Sequence, residues 1–476
     1  MTVIKRLAEW AAETPDDWSE LALTRAEHAI EDVVACLVAG AGDEAASRVR
    51  HAITSWGAGP STVVGQRGTA PAPWAALANG TAAHALDYDD IFLPGVTHAT
   101  AVLFPVLLAV AEEIDAAGEA LLDAYIVGLE AQAVVGRGVN RSHYDLGWHA
   151  TATIGSIGAA AACARLLGLD ARRMAHAISL AVSMASGAKV QFGTMAKPFH
   201  AGLAAQHAVT AATLAQAGLE GRDTALEGKL GFLALYGGPN PPGWEQVLPR
   251  LGKTLAIEEL GIMHKLYPCC GSNHLVLDGV LALRRQHGFK ADDVAAVNTV
   301  IGIGNRRNLM YDDPQNEMQA RFSLQYCVAV ALLNGGLKLA DFTPQAVARP
   351  AVRRLLTLTS IRTHDAAQES ASWENRLPHS IEIVLKDGRQ FSTSCQHPRG
   401  SIHHPFDEAD RVQKFRDCCA ASLTQETCDA LRKDLVSLRK LDSLRTLALR
   451  LRFDAGGDHG ERFSRLQPNA AEAAAL

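Results

Sequence analysis

Three acidic side chains and a histidine lie close together in one short stretch of this chain. Asp87, Asp89 and Asp90 fall within four residues, and His98 follows eight residues after the last carboxylate. Carboxylates are costly to bury without partners, and a histidine titrates near neutral pH, so this group of residues could move protons. Charge clusters are more often the exposed end of a helix, however, and this stretch taken alone favours that simpler interpretation.

Four further segments combine reactive side chains with small residues. His149 precedes a Thr- and Gly-rich helix start, where free backbone N–H groups favour an anion. Lys197 lies directly before a proline and the next predicted helix. The other two segments are 264–274, which contains Lys265 and two adjacent cysteines, and 311–323. Taken singly, each residue is more often a cap, a solvated loop residue or a packing residue than a catalytic group.

The nine cysteines predict neither a metal site nor a disulfide framework. Two adjacent pairs occur, at 269–270 and 418–419, but the C-x-x-C spacing typical of zinc and iron–sulfur sites does not. We therefore expect no metal in the site. A reducing cytoplasm fits this cysteine usage best.

Composition and charge indicate which classes of binding partner this chain can have. The chain has 45 basic and 51 acidic residues, a net charge of −6 and no long basic run, so we expect no nucleic-acid partner. An anionic substrate would then require positive groups that are gathered locally. The N-terminal segment lacks the apolar core of a signal peptide, and the longest apolar stretches are too short to span a bilayer, so we expect no membrane partner.

The elements that must position these residues change character along the chain. At 476 residues, two domains are the default expectation. Alanine-rich helical periodicity fills roughly the first half, β-branched runs and an Asp-Gly hairpin follow, and helical periodicity then returns. We predict a mainly α fold, in which a large all-helical domain (1–265 and 397–476) carries an inserted, smaller α+β domain (266–396). The tail from Ala455 onward is expected to be frayed.

The same patterns predict individual elements. In the first part the clearest predicted helices are 25–39, 102–117, 121–135, 153–167, 171–185 and 203–217. In the inserted domain the predicted strands are 294–303, 380–385 and 391–394, and the predicted helices lie near 274–286 and 322–333.

Taken together and in order, these segments resemble the MmgE/PrpD superfamily, a group of enzymes that act on carboxylic acids. The resemblance runs from Asn-Gly-Thr-Ala-Ala-His at 79–84 to Lys-Phe-Arg at 414–416. Between them it includes Gly-x-His-x-Thr-x-x-x-Gly at 147–155, Ala-Lys-Pro-x-His-Ala-Gly at 196–202, Lys-x-Tyr-Pro at 265–268, Arg-Phe-Ser-Leu-Gln-Tyr at 321–326 and Leu-Lys-Asp-Gly-Arg at 385–389. Each match is modest, but the ordered set is specific. The family's architecture is a large helical domain with an inserted α+β lid, which agrees with the predicted elements.

The resemblance implies a cofactor-free active site between the domains, and a homodimer. It gives the functional positions as Asp87, His98, His149, Lys197 and Lys265. Removing a proton next to a carboxylate builds negative charge on that carboxylate, so the histidines are candidates for proton transfer and the lysines for carboxylate binding. Either lysine could instead be the base if burial lowered its pKa.

Five further residues are expected to bind the substrate, a small anionic di- or tricarboxylate: Ile91, Thr97, His200, Tyr267 and Arg321. Two of them depart from the family pattern, because Ile91 stands where a threonine is usual and Arg321 where a lysine is usual. Such changes alter the polarity of the site wall, and substrate specificity depends on that wall.

Three reactions are compatible with such a site. The leading hypothesis is a cofactor-independent lyase that abstracts a proton next to a carboxylate, with dehydration of the 2-methylcitrate type placed first. The alternatives are an isomerase of the iminodisuccinate epimerase type and a decarboxylase of the cis-aconitate type. A helical scaffold or binding protein with a vestigial site is a further alternative, which the intact set His98, His149, Lys197 and Lys265 disfavours.

Overall fold

The first part of the chain is built from helices, as its alanine-rich periodicity predicts. The computed structural model describes residues 1–367, 369 and 377–455, and its fold is mainly α, as predicted. All six helices predicted in this part are present, with their ends shifted by up to seven residues. The elements are α1 (Val3–Glu13), α2 (Glu20–Gly40), α3 (Glu44–Ile53), β1 (Ser61–Thr62), β2 (Thr69–Ala70), α4 (Ala72–His84), α5 (Thr100–Ile114), α6 (Gly118–Val139), α7 (Ser142–Leu146), α8 (Ala150–Leu166), α9 (Ala171–Met184), α10 (Ala196–Gln216), α11 (Phe232–Tyr236) and α12 (Ala256–Glu259).

A four-stranded sheet forms the centre of the next part. Its strands are β3 (Val294–Ile301), β4 (Thr359–Thr363), β5 (His379–Leu385) and β6 (Gln390–Cys395), in the order β4-β3-β5-β6. β5 and β6 form the predicted hairpin, whose turn residue Gly388 has a φ of 89° that glycine adopts readily. The sequence did not predict β4, which pairs parallel to β3 at the edge of the sheet. Its side chains are mostly exposed and polar, so no apolar alternation marks it as a strand.

Helices cover this sheet, and three more follow it. Those of the sheet region are α13 (His274–His287), α14 (Ile303–Asn308), α15 (Glu317–Ala320), α16 (Leu324–Asn334), α17 (Pro344–Val347) and α18 (Pro350–Leu356). The last three are α19 (Glu408–Cys419), α20 (Gln425–Val436) and α21 (Arg445–Arg450). The tail that we expect to be frayed falls beyond residue 455, outside the described residues. Within the described ranges, no helix is both long enough and apolar enough to cross a bilayer.

Buried apolar side chains form two hydrophobic clusters. The first joins α1–α10 with α19–α21, so that Leu431 packs in the same cluster as Ile30. The second joins α13 and α16 with the sheet and includes Val330. Two residues cross between these clusters. Phe192, from the N-terminal helical part, packs in the second cluster, and Leu339, from the sheet region, packs in the first. The C-terminal helices therefore return to the core of the N-terminal ones.

Helices α4 and α10 lie in direct backbone contact. A Cβ atom added at Gly80 would lie 2.8 Å from the Cα of Gly202, a distance that real Cβ atoms essentially never show. Glycine at these positions lets the helices approach this closely. They run antiparallel, so His84 at the end of α4 meets Lys197 in the first turn of α10.

Candidate active site

The acidic stretch after α4 is buried rather than exposed. Asp87, Asp89 and Asp90 are each no more than 3% exposed, so the simpler interpretation of an exposed helix end is wrong. Asp87 also has a φ of 51°, in the left-handed region that non-glycine residues seldom adopt. Strained backbone of this kind clusters at functional sites, where the surrounding structure must hold it.

Buried cations hold this loop at three consecutive carbonyl groups. The bonds run from Arg321 Nε to the Leu86 carbonyl at 3.1 Å, from Lys265 Nζ to the Asp87 carbonyl at 2.8 Å and from Lys414 Nζ to the Tyr88 carbonyl at 2.9 Å. Each cation is at most 5% exposed. Charge-assisted hydrogen bonds are stronger than neutral ones, so they can fix the strained loop in place.

The Asp87 carboxylate binds two lysines with one oxygen. Its Oδ1 accepts from Lys197 Nζ at 2.9 Å and from Lys265 Nζ at 2.8 Å. Burial alone would raise the pKa of Asp87, but the two ammonium groups outweigh it and hold that pKa well below its usual range. Burial would lower the pKa of Lys265, yet the charges of Asp87 and Asp89 raise it. Asp87 is therefore ionised and Lys265 is a cation, not a neutral base.

His84 connects Lys197 to a second carboxylate. Its Nε2 lies 2.8 Å from Lys197 Nζ, and its Nδ1 lies 2.9 Å from Asp89 Oδ2. Burial, with the charge of Lys197 acting in the same direction, lowers the pKa of His84 to about 3 despite Asp89. An ammonium group can only donate, so Nε2 must be the acceptor and Nδ1 must carry the proton that is donated to Asp89. His84 was not among the predicted site residues, although it lies three residues before Asp87.

His98 is fixed by its Nδ1 atom, which donates to the Asp90 carbonyl at 2.7 Å. Its backbone N–H donates to Thr151 Oγ1 at 3.0 Å, which ties it to α8. Burial lowers the pKa of His98, and the lysine charges add to that effect. In the neutral form the proton is on Nδ1, so the lone pair is on Nε2.

His149 stands at the beginning of α8 and pairs with a second histidine. Its Nδ1 lies 3.1 Å from Nδ1 of His200, so one of the two rings donates to the other. Its Nε2 is buried and has no hydrogen-bond partner among the described residues. Burial, reinforced by the charge of Lys197, holds the pKa of His149 well below its usual range. This nitrogen is therefore available to a ligand.

The Asp90 side chain has only neutral hydrogen-bond partners within the described ranges. Its Oδ2 accepts from Thr100 Oγ1 at 2.7 Å, and that hydroxyl is 2.8 Å from the phenol oxygen of Tyr125. Burial, with the nearby charge of Asp89, raises the pKa of Asp90 to about 7. This carboxyl group is therefore partly protonated at neutral pH, unlike its two neighbours.

One cavity is lined by several of these side chains. Six of the predicted site residues line it, although they lie up to 110 positions apart in the chain: Asp87, Ile91, Thr97, His98, His149 and Lys197. The Thr97 hydroxyl is already engaged, because it donates to Gln132 Oε1 at 2.8 Å. The cavity wall thus combines two neutral histidines, one lysine and one ionised aspartate.

The other four predicted residues are not among the described residues that line this cavity. Lys265 binds Asp87 and His200 binds His149, so both support residues that line the cavity. Arg321 holds the backbone of the acidic loop, and the hydroxyl of Tyr267 donates to an aspartate of α13 at 2.8 Å. The contacts of Lys265, His200 and Arg321 thus support the wall and the acidic loop, whereas that of Tyr267 lies at a different cavity. Direct substrate binding by His200, Tyr267 and Arg321 stays a prediction.

The wall also contains residues that the sequence analysis did not single out. They are Arg141, Tyr144, Phe192, Gly304, Asn305 and Asn308. Cys270 and Ser272, which lie in the segment 264–274, line the cavity too. None of these residues carries a recognisable motif, because they come from short helices and turns that meet only in the fold.

Some donor atoms of the site lie close enough together to resemble a metal-ligand set. Within the described residues, one atom from each member lies within 4.8 Å of the others in two overlapping groups: His84, His98 and His149, and His84, Asp87, Asp89 and His98. The members of the second group all lie within residues 84–98, whereas His149 of the first group comes from the start of α8. His84, which both groups share with His98, already accepts from Lys197 at 2.8 Å, and a dication at that nitrogen would have to displace the ammonium group.

Comparison with known protein families gives two matches along the chain. Residues 5–245 match the MmgE/PrpD N-terminal domain, and residues 267–437 match the MmgE/PrpD C-terminal domain. Together these two matches span most of the sequence.

Individual relatives agree with these matches. The chain is 30% identical to the cis-aconitate decarboxylase of Homo sapiens over 403 residues, which cover 82% of each protein. It is 29% identical to the cis-aconitate decarboxylase of Mus musculus over 407 residues, or 83% of this chain and 81% of the relative. The cis-aconitate decarboxylase of Aspergillus terreus is 26% identical over 471 residues, or 94% of this chain and 95% of the relative. The chain therefore belongs to the MmgE/PrpD family and is an enzyme of its lyase type.

Proposed function

We propose that this enzyme decarboxylates a small unsaturated tricarboxylate of the cis-aconitate type. Relatives from two mammals and a fungus carry the name cis-aconitate decarboxylase. These relatives favour decarboxylation over the dehydration of the 2-methylcitrate type that the sequence analysis placed first. The site residues named above are proposed to serve this reaction.

The chemistry of such a substrate requires charge stabilisation and one proton. In cis-aconitate a CH2–carboxylate arm is attached to a carbon–carbon double bond. When CO2 leaves, the electron pair of the broken bond forms a new double bond to the central carbon. The electron pair of the old double bond moves to the carbon beside the remaining terminal carboxylate, which takes up one proton. The products are CO2 and an unsaturated dicarboxylate, with no net oxidation or reduction.

The position of the Lys197 ammonium group is the single observation that carries the proposal. Its ammonium group lines the cavity, is 3% exposed and is held at 2.8 Å by a neutral histidine and at 2.9 Å by Asp87. Negative charge moves toward the remaining carboxylate as CO2 leaves, and a preorganised cation in a buried site stabilises that charge. Asp87 and Lys265 position Lys197 for this role.

His149 is proposed to donate the proton. In the free enzyme its pKa is held well below its usual range, first by burial and then by the charge of Lys197. A bound tricarboxylate adds negative charge next to the unpartnered Nε2, which raises the pKa and favours the protonated ring. His98, fixed through Nδ1, presents the lone pair of Nε2 and can accept a proton or a hydrogen bond.

Turnover in deuterated water separates this proposal from the other reactions. With cis-aconitate we expect release of CO2 and one deuterium in the dicarboxylate product, and equal rates with and without EDTA. Loss of water from 2-methylcitrate, without CO2 release from cis-aconitate, would identify a dehydratase instead. Deuterium exchange at an α carbon of iminodisuccinate without net turnover would identify an epimerase.

Two features of organisation are proposed with this function. The domain boundaries 1–265, 266–396 and 397–476 are supported by the two hydrophobic clusters. The enzyme is also proposed to be a homodimer. Light scattering at micromolar concentration should then give twice the mass of one chain, and the mass of a single chain would contradict it.

A further inference from the structure

The cavity contains a second cation that is far less engaged than Lys197. Arg141 lines the cavity directly before α7, and its Nε lies 3.6 Å from a carboxylate oxygen of Asp145. Among the described residues, no hydrogen bond from the Arg141 guanidinium to a protein acceptor is formed. A guanidinium has five N–H donors in a planar fork that suits a carboxylate, so most of its binding capacity is free.

Gly304 in α14 makes room for this guanidinium. A Cβ atom added at Gly304 would lie 1.7 Å from Nη2 and 2.9 Å from Cζ of Arg141. Any side chain at this position would therefore push the guanidinium away. The Arg141 side chain thus extends from the start of α7 to α14, the helix that follows strand β3.

Polar side chains surround the same part of the cavity wall. The Tyr144 hydroxyl donates to Asn308 Oδ1 at 3.1 Å, and Asn308 Nδ2 donates to Ser272 Oγ at 3.3 Å. All three residues line the cavity with Arg141. Lys189 adds positive charge from behind, since its ammonium group lies 3.6 Å from the centre of the Tyr144 ring. A polar, positively charged wall of this kind suits a carboxylate.

We infer that Arg141, in the space left by Gly304, is a second carboxylate-binding site that holds a substrate carboxylate other than the one beside Lys197. The inference rests on the proposed function, in which the substrate has three carboxylates. The carboxylate on Arg141 is neither lost as CO2 nor the one that gains charge. Arg141 therefore binds ground state and transition state equally, which affects KM rather than kcat.

Three variants test this site. Arg141→Gln removes the guanidinium, and Gly304→Ala keeps the arginine but fills its space with a methyl group. Arg307→Gln is the matched control, because Arg307 is an exposed arginine on the same helix as Gly304. We expect Arg141→Gln to raise KM for cis-aconitate by about tenfold to a hundredfold, with kcat changed by less than about threefold. Gly304→Ala should raise KM in the same direction, and the control should stay within about twofold of the parent.

A binding measurement keeps this test independent of turnover. Tricarballylate is a saturated tricarboxylate that lacks the double bond needed for the reaction. Calorimetry should show its Kd raised by about tenfold or more in Arg141→Gln and unchanged in Arg307→Gln. If cis-aconitate is not turned over but this pattern of Kd values holds, the proposed function fails and the carboxylate site stands. An unchanged Kd in Arg141→Gln, an equal loss in the control, or a fall in kcat without a change in KM overturns the inference.

Discussion

Nζ of Lys197 lies 2.8 Å from Nε2 of His84, a residue 113 positions earlier in the chain. Because burial keeps His84 neutral, this contact orients the ammonium group without cancelling its charge. The opposite charge comes from Asp87, which Lys197 shares with Lys265. One carboxylate thus serves two cations, and the ammonium group of Lys197, which lines the cavity, can contact an anion there.

Replacement of Lys197 by methionine should abolish most of the activity. The variant keeps an apolar side chain of similar length and loses the cation, so we expect kcat/KM to fall by about a hundredfold to a thousandfold. Steady-state decarboxylation assays give this value, and circular dichroism checks the fold. Lys5→Met is the control, because Lys5 is an exposed lysine that pairs with Asp223. Retention of more than a tenth of the parent kcat/KM by Lys197→Met would show that Lys197 is not in contact with the reacting substrate.

Asp87→Asn should destabilise the fold as well as the site. The change leaves Lys197 and Lys265 without their shared counter-charge while both remain buried. Removing one partner of a buried ion pair costs about 3–5 kcal/mol, because the remaining charge is uncompensated. Urea unfolding at pH 7 measures this loss. Asp387→Asn removes an exposed carboxylate that pairs with a nearby arginine and should change the free energy of unfolding by less than about 0.5 kcal/mol. An equally small change in Asp87→Asn would contradict the buried-pair account.

Much of the fold follows from local patterns. The helical periodicity of the first part and the hairpin of β5 and β6 are both present as predicted, because each depends on residues close in sequence. Strand β4 was missed, since its stability comes from pairing with β3, about sixty positions earlier, and not from its own apolar pattern.

The site could be predicted only in part. Motif positions identified Asp87, His98, His149 and Lys197, and all four line one cavity. Local sequence alone favoured an exposed acidic loop, because nothing near it reveals the lysines and the arginine that bind it from 110 to 326 positions away. Arg141 was missed for the same reason. Its proposed role depends on the absence of a side chain at Gly304, which lies in α14.

Substrate binding should take up a proton at His149. In the free enzyme, burial and the charge of Lys197 hold the pKa of His149 well below its usual range, so its ring is neutral at pH 7. A bound tricarboxylate reverses the local charge, and we expect uptake of about one proton at pH 7. Calorimetry of tricarballylate binding in two buffers with different ionisation enthalpies measures this uptake. His149→Gln should remove it, whereas His51→Gln, at an exposed position, should not. Binding without proton uptake in the parent enzyme would exclude His149 as the acid.

Asp90 should make the fold less stable as pH rises. Burial and the charge of Asp89 raise the pKa of Asp90 to about 7, whereas an unfolded aspartate has a pKa near 3.8. Between these values the folded state keeps a proton that the unfolded state has lost, so stability falls with increasing pH. One pKa unit corresponds to about 1.4 kcal/mol, so the contribution of Asp90 between pH 5.5 and pH 8 is about 2 kcal/mol.

Asp90→Asn removes this titration and keeps an oxygen that can accept from Thr100. The free energy of unfolding, measured in urea at both pH values, should therefore fall by about 2 kcal/mol less in the variant than in the parent over that range. Asp442→Asn, at an exposed position, should keep the pH dependence of the parent. The same pH dependence in Asp90→Asn and the parent would mean that Asp90 is already ionised in the folded protein at pH 5.5. The loop would then hold three buried, charged carboxylates. The neutral hydroxyl groups of Thr100 and Tyr125 could not explain how the charge of Asp90 is stabilised.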